Sequence, residues 1–146
     1  MLSLERPADE AAMTAQLCAY FAELGQPDND PDAIAEEFLH DPNVRVYRIL
    51  DDGQLGFLVT EAYPGFTEMC EFCIFPQHRR RGIGTRAAHL AFEHSPGRWE
   101  LGTMNDAIHF WRHALTTCPL ARDVVEGPSA LVHQSHRLRF TIGSTP

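Results

Sequence analysis

One charged loop marks a change of hydrophobic period, and this limits the folds open to the chain more than any other feature. Residues 66–75, "FTEMCEFCIF", read as a strand. From Ile83 onward, Ile83, Ala87, Leu90, Ala91 and His94 recur at helical spacing. Between the two stands "PQHRRRGIG" (76–84), in which three arginines precede two closely spaced glycines. A strand therefore passes through a basic loop into the start of a helix.

The flanking segments extend the pattern. Met13, Leu17, Tyr20, Phe21 and Leu24 predict a first helix, which Gly25 stops. Asp30-Pro31 opens a second, bearing Ile34 and Phe38, and Asp41-Pro42 ends it. The runs "VRVYRIL" (44–50) and "LGFLVTEAY" (55–63) flank Asp52-Gly53, a strong hairpin signal, and Pro64-Gly65 turns the chain into the strand at 66–75. After the helix that begins at Ile83, Pro96-Gly97 leads into the short strand "RWELGT" (98–103). Asn105 or Asp106 is placed to cap a helix carrying Ala107, Phe110, Trp111 and Ala114. "SHRLRFTI" (135–142) alternates like a half-buried strand, with "ARDVV" (121–125) as its candidate partner. This order predicts an α+β (mixed α/β) fold, a mixed sheet with helices on both faces, formed as a single domain over residues 1–146.

Composition removes several functions. A formal net charge of −8 argues against a nucleic-acid binder, and no apolar run is long enough to span a membrane. The N-terminus does not read as a signal peptide, so a cytoplasmic protein is expected. All twelve basic residues are arginine, which excludes a P-loop lysine, a Schiff-base lysine and self-acetylation on lysine. The four cysteines are too few and too scattered for a disulfide framework. Cys70 and Cys73 form C-x-x-C without a second pair, and His109 and His113 lack a third ligand, so no metal site is expected. Cys118 follows a helix and is expected to be exposed.

The loop itself has the features of a phosphate site. The first N–H groups of a helix have no internal acceptor, and the helix dipole adds positive charge there. Gly82 and Gly84 let an anion approach the backbone, while Arg79, Arg80 and Arg81 supply full charges. Residues 82–87 also fit the dinucleotide pattern G-x-G-x-x-A, with Glu100 near the expected acidic position. That motif wants a glycine almost touching its strand, whereas six residues, "PQHRRR", intervene here.

"IFPQHRRRGIG" (74–84) resembles the coenzyme motif of the GCN5-related N-acetyltransferase (GNAT) superfamily, with Ile74, Pro76, Arg79, Gly82 and Gly84 in register. Ala107, Phe110 and Trp111 match a later signature, A-x-x-F-[YW], and "SPGRWE" followed by "FWR" resembles a small bacterial branch of predicted acetyltransferases. The resemblance covers about residues 43–115. It implies a mostly antiparallel GNAT-like sheet, acetyl-CoA as acetyl donor, and a small-molecule or peptide amine as acceptor. It also implies pyrophosphate on the N–H groups of Arg81, Gly82, Ile83, Gly84 and Thr85. Side chains of Arg79 and Arg81 would reach phosphates, and the pantetheine arm would pair with backbone at Phe72 and Ile74. The central strand is expected to carry a bulge and to splay from its neighbour. Relatives often pair, so a homodimer is possible on the same basis.

Acetyl transfer to an amine needs a group that takes a proton. Glu68 and Glu71 are the candidates, and their spacing of three predicts opposite faces of the strand. Glu68 matches the base position of the histone-acetylating branch and Glu71 a glutamate of the small bacterial branch. The place where relatives carry a proton-donating tyrosine holds Trp111. This leaves two functional expectations: an N-acetyltransferase using acetyl-CoA, or a non-catalytic acyl-CoA-binding module with the same fold.

Overall fold

The structure is a computed structural model that describes residues 1–7, 9–26, 29–131 and 134–145. Its elements run β1 (Ser3–Glu5), α1 (Glu10–Glu23), α2 (Pro31–His40), β2 (Val44–Leu50), β3 (Gln54–Tyr63), β4 (Phe66–Ile74), α3 (Ile83–His94), β5 (Gly97–Thr103), α4 (Ile108–Thr116), β6 (Ala121–Pro128) and β7 (His136–Ile142). Among the described residues the strands form one seven-stranded sheet in the order β1-β2-β3-β4-β5-β7-β6. Only β4 and β5 pair in parallel, joined through α3; every other pairing is antiparallel.

Helices cover both faces, as expected. On one side Met13, Leu17 and Phe21 of α1 and Ala35 of α2 pack on Val44, Val46, Phe57, Val59 and Cys73. On the other, α3 and α4 bury Ala87, Phe92, Trp111 and Leu115 against Leu58, Met69, Trp99 and Leu138. Asp9 caps α1 through Ala12 N at 2.7 Å, and Asp30 caps α2 through Ala33 N at 3.2 Å.

Four features depart from the sequence reading. β1 was not expected, since three residues are too few to show a period. α4 begins at Ile108 with Ala107 as N-cap and no side-chain cap, because residues 104–107 form a turn closed by Ala107 N to Met104 O at 3.1 Å. The buried face of α3 holds Ala88 and Phe92 and leaves His94 exposed, its ring against Tyr47 instead. Cys118 is buried in the core under α3 and α4.

Candidate active site

The site begins with an irregularity in β4. Along the β3–β4 ladder Val59 faces Glu71 and the next residue, Thr60, faces Met69, so Cys70 has no partner. Such an extra residue bends a strand and re-aims its amides. The β4–β5 ladder ends at almost the same place. It pairs Thr67 with Trp99, Glu68 with Glu100 and Met69 with Leu101, and goes no further. Beyond Met69 the two strands diverge, and the backbone of Cys70–Ile74 opens onto the gap.

Two adjoining clefts meet at this gap. The first, about 400 Å³, contains Phe72, Ile74, Arg79, Arg80, Gly82, Ile83, Gly84, Thr85, Phe110 and Trp111. The second, about 500 Å³, lies between the C-terminal end of α1 and residues of β4, β5, the 104–107 turn and Gln134. Phe72, Arg79, Ala107 and Trp111 line both.

The first cleft ends at the start of α3. Gly82, the N-cap, has φ 73°, and no side chain caps the helix. A Cβ on Gly82 would meet nothing within 4 Å, so open space lies in front of the free N–H groups of the first turn. Arg80 also has positive φ, 64°, and alternating backbone of this kind turns successive N–H groups toward one point. Gly84 has a different reason to be glycine: a Cβ there would lie 2.9 Å from the Phe110 ring. Seven of the eight coenzyme residues expected from sequence, Phe72, Ile74, Arg79, Gly82, Ile83, Gly84 and Thr85, thus converge on this cleft. Arg81 lies off it, its Nη1 3.4 Å from His78 Nδ1, and Arg80 stands in its place. The Arg79 guanidinium is engaged elsewhere. It donates through Nε to Ile74 O at 2.7 Å and through both terminal nitrogens to Glu23 at 2.9 and 2.5 Å. A long cleft with uncapped N–H donors and an arginine at one end fits a pyrophosphate-bearing coenzyme.

The two candidate glutamates do not face opposite sides. Directly opposed residues share a face, so Glu71 lies on the side of Val59, under α1 and α2. Met69 lies on the α3–α4 side, and Glu68 returns to the α1–α2 side. The extra residue, Cys70, shifts the alternation by one, which is the physical reason for the correction. Their surroundings differ. The Glu68 carboxylate is 3.4 Å from Arg137, which also donates to Glu100 at 3.1 Å, while Arg139 reaches the same Glu100 oxygen at 3.3 Å. Glu71 instead lines the second cleft, facing Tyr20 of α1. Burial pushes its pKa up to about 7, and the Tyr20 hydroxyl lowers it in part. Burial, and then the neighbouring Glu71 charge, raise the pKa of Tyr20. Cys70 is a half-buried thiol whose pKa is raised by burial and by the carboxylates of Glu68, Glu61 and Glu71.

Sequence reasoning missed Tyr20, Glu23 and Gln134 as cleft residues. Tyr20 and Glu23 looked like part of an ordinary amphipathic helix. Gln134 enters because Gly102 has no side chain; a Cβ on Gly102 would collide with its carboxamide. The only signal for this was a lone glycine inside a predicted strand. Cys73 is buried, and His109 and His113 lie on the exposed face of α4. Among the described residues no group of three potential metal ligands occurs.

A mixed sheet that splays beside an uncapped, glycine-rich helix start is the architecture the coenzyme motif led one to expect. The sequence matches the model of the acetyltransferase (GNAT) family over residues 10–115, and the chain belongs to that family. The dinucleotide alternative falls with this match. Solved structures share the fold. Spermidine N-acetyltransferase from Vibrio cholerae, in complex with CoA and spermine, is 13% identical over 97% of this chain and 94% of its own, with TM-score 0.67. An acetyltransferase from Bacillus subtilis in complex with CoA is 16% identical, covering 99% and 98%, with TM-score 0.62. An aminoglycoside 6'-acetyltransferase type Ii is 18% identical, covering 100% and 99%, with TM-score 0.65. No curated protein matches the sequence.

Proposed function

We propose that the chain is an N-acetyltransferase that moves an acetyl group from acetyl-CoA directly to a primary amine of a small molecule or peptide. The observation that carries this reading is the meeting of the two clefts at the β4–β5 gap, with the α3 N–H groups on one side and Glu71 on the other. Family membership and structural neighbours whose acceptors are amines support it.

Acetyl-CoA supplies an acetyl group activated as a thioester. The free N–H groups of Ile83, Gly84 and Thr85, with the basic loop, hold the phosphate end. Backbone of β4 at Phe72 and Ile74 aligns the extended arm as an added strand would. N–H groups re-aimed at the Cys70 bulge donate to the charge that develops on the acetyl oxygen. An aliphatic amine has pKa near 10.4, so about one molecule in 10³ is neutral at pH 7. Glu71, with its pKa near 7, accepts the proton the amine must lose. Glu68 is engaged by Arg137 at 3.4 Å and lines neither cleft. Trp111 lines both clefts and its indole is no acid, so solvent protonates the departing thiolate.

Trp111 also motivates a second reading, a binding module that keeps the coenzyme site and transfers nothing. One experiment separates them. The protein is incubated with acetyl-CoA and a panel containing a polyamine, an aminoglycoside and an amine-bearing peptide, and acetylated products are read by mass. Mass is the better readout, because Cys18 is exposed and reacts with thiol dyes. Turnover on at least one amine is expected. Tight acetyl-CoA binding with no product on any amine establishes the module.

A further inference from the structure

Arg79 stands in the coenzyme loop, yet its side chain is spent on a helix of the other cleft. Its Nε donates to the Ile74 carbonyl at 2.7 Å, at the end of the splayed strand. Its two terminal nitrogens grip both oxygens of Glu23, the last residue of α1, at 2.9 and 2.5 Å. This is the paired fork in which a planar guanidinium binds a carboxylate best. Glu23 in turn sits where a carboxylate is unfavourable. The C-terminal end of a helix carries partial negative charge, and the last turn of α1 has no basic residue of its own. Arg79 supplies the missing cation, and the Glu23 carboxyl is held below its ordinary pKa, chiefly by the hydrogen bonds from Arg79.

The position of the pair gives it a consequence. Arg79 is the one charged residue common to the linings of both clefts. The helix end it fastens carries Tyr20, Glu23 and Leu24 into the acceptor cleft. Tyr20 lies one turn before Glu23, its ring edge-on to Phe57 at 5.4 Å, and its hydroxyl faces Glu71. The other charged groups lining the cleft with Glu71 are Asp106, in the turn before α4, and the Glu23–Arg79 pair itself, while Glu68 on β4, Glu61 on β3 and Arg137 on β7 act on the neighbouring Cys70.

We propose that Arg79 and Glu23 are positioning residues: a tether from the coenzyme strand to the end of α1 that keeps Tyr20 against Glu71 and so shapes the amine site from within the coenzyme loop. The phosphate end then relies on the α3 N–H groups and Arg80, and the Arg79 side chain acts on the acceptor. This rests on the amine-acetyltransferase reading given above.

Glu23→Gln, Arg79→Gln and the double variant test it. Each single variant is expected to raise KM for the amine about fivefold, the range of a well-formed but partly exposed ion pair. The acetyl-CoA dissociation constant, measured by calorimetry, should move less than twofold. The double variant should be no worse than either single one, because both break the same link. A purely structural role would lower the melting temperature and leave the pH profile alone. The tether instead predicts that the acidic limb of kcat/KM moves to higher pH, since Tyr20 no longer lowers the Glu71 pKa. Amide hydrogen exchange over residues 20–24 should quicken in each variant. That readout needs no turnover, so it stands even if no amine proves to be a substrate. The proposal is overturned if Arg79→Gln weakens acetyl-CoA tenfold or more while Glu23→Gln leaves the amine KM and the exchange of α1 unchanged. Arg79 would then be a phosphate ligand.

Discussion

The two clefts that meet at the β4–β5 gap are built on different principles. The half proposed to hold the coenzyme is mainly backbone: N–H groups of an uncapped helix, glycines at 82 and 84, and a strand edge with no neighbour. Its residues lie in one stretch, from Phe72 to Thr85, completed by α4. The half proposed for the amine acceptor is gathered from distant parts of the chain, with Tyr20, Glu71, Asp106 and Gln134 around one space. On the proposed reading, a backbone cradle suits what every acyl-CoA shares, its phosphates and its amide-bearing arm. A side-chain chamber can change with one substitution, so it suits the partner that differs between relatives.

The largest expected effect breaks the acceptor half alone. Glu71→Gln should lower kcat about 10²-fold or more and abolish the acidic limb near pH 7, leaving acetyl-CoA affinity within twofold. The wild-type limb rises with pH because the carboxylate form is the active one. The same group gives a second, opposite signature in stability. Its folded pKa is raised above the ordinary glutamate value of 4.5, so its contribution to stability is complete below that value and is lost as pH rises through about 7. Thermal melts at pH 8 should therefore show the variant more stable relative to wild type than at pH 4.5.

A smaller effect breaks the coenzyme half. Gly82→Val places a branched side chain at φ 73° and fills the space before the helix. The left-handed conformation alone costs about 1–2 kcal/mol. Calorimetry should show acetyl-CoA binding weakened about tenfold, with kcat at saturating coenzyme close to wild type. The smallest effect sharpens the contrast between the glutamates. Glu68→Gln leaves Arg137 still bound to Glu100, so turnover should stay within about twofold and the melting temperature should fall by about 4 °C. A hundredfold loss at Glu68 and none at Glu71 would exchange their roles.

Much of the fold was legible because its signals are local. Asp30-Pro31 opens the second helix as read, and the three strands before the arginine loop lie where alternation and turn residues place them. What escaped were features without a local period. β1 has only three residues, and the candidate strand at 121–125 runs on to Pro128 as an exposed edge strand, its Val124 and Val125 facing solvent. The α4 start eluded the reading because a turn, rather than a capping side chain, precedes it.

The sequence by itself determined the coenzyme cradle. Where a helix starts and which residues lack a Cβ are properties of a short segment, and these alone aim the N–H groups. Only the tertiary structure decided the acceptor chamber. One extra residue at Cys70 reverses the face of everything before it along β4, bringing Glu68 and Glu71 to the same side. Which helix end then leans over Glu71, and that Arg79 reaches for Glu23 across 56 positions, follow from packing between elements, which no local pattern records.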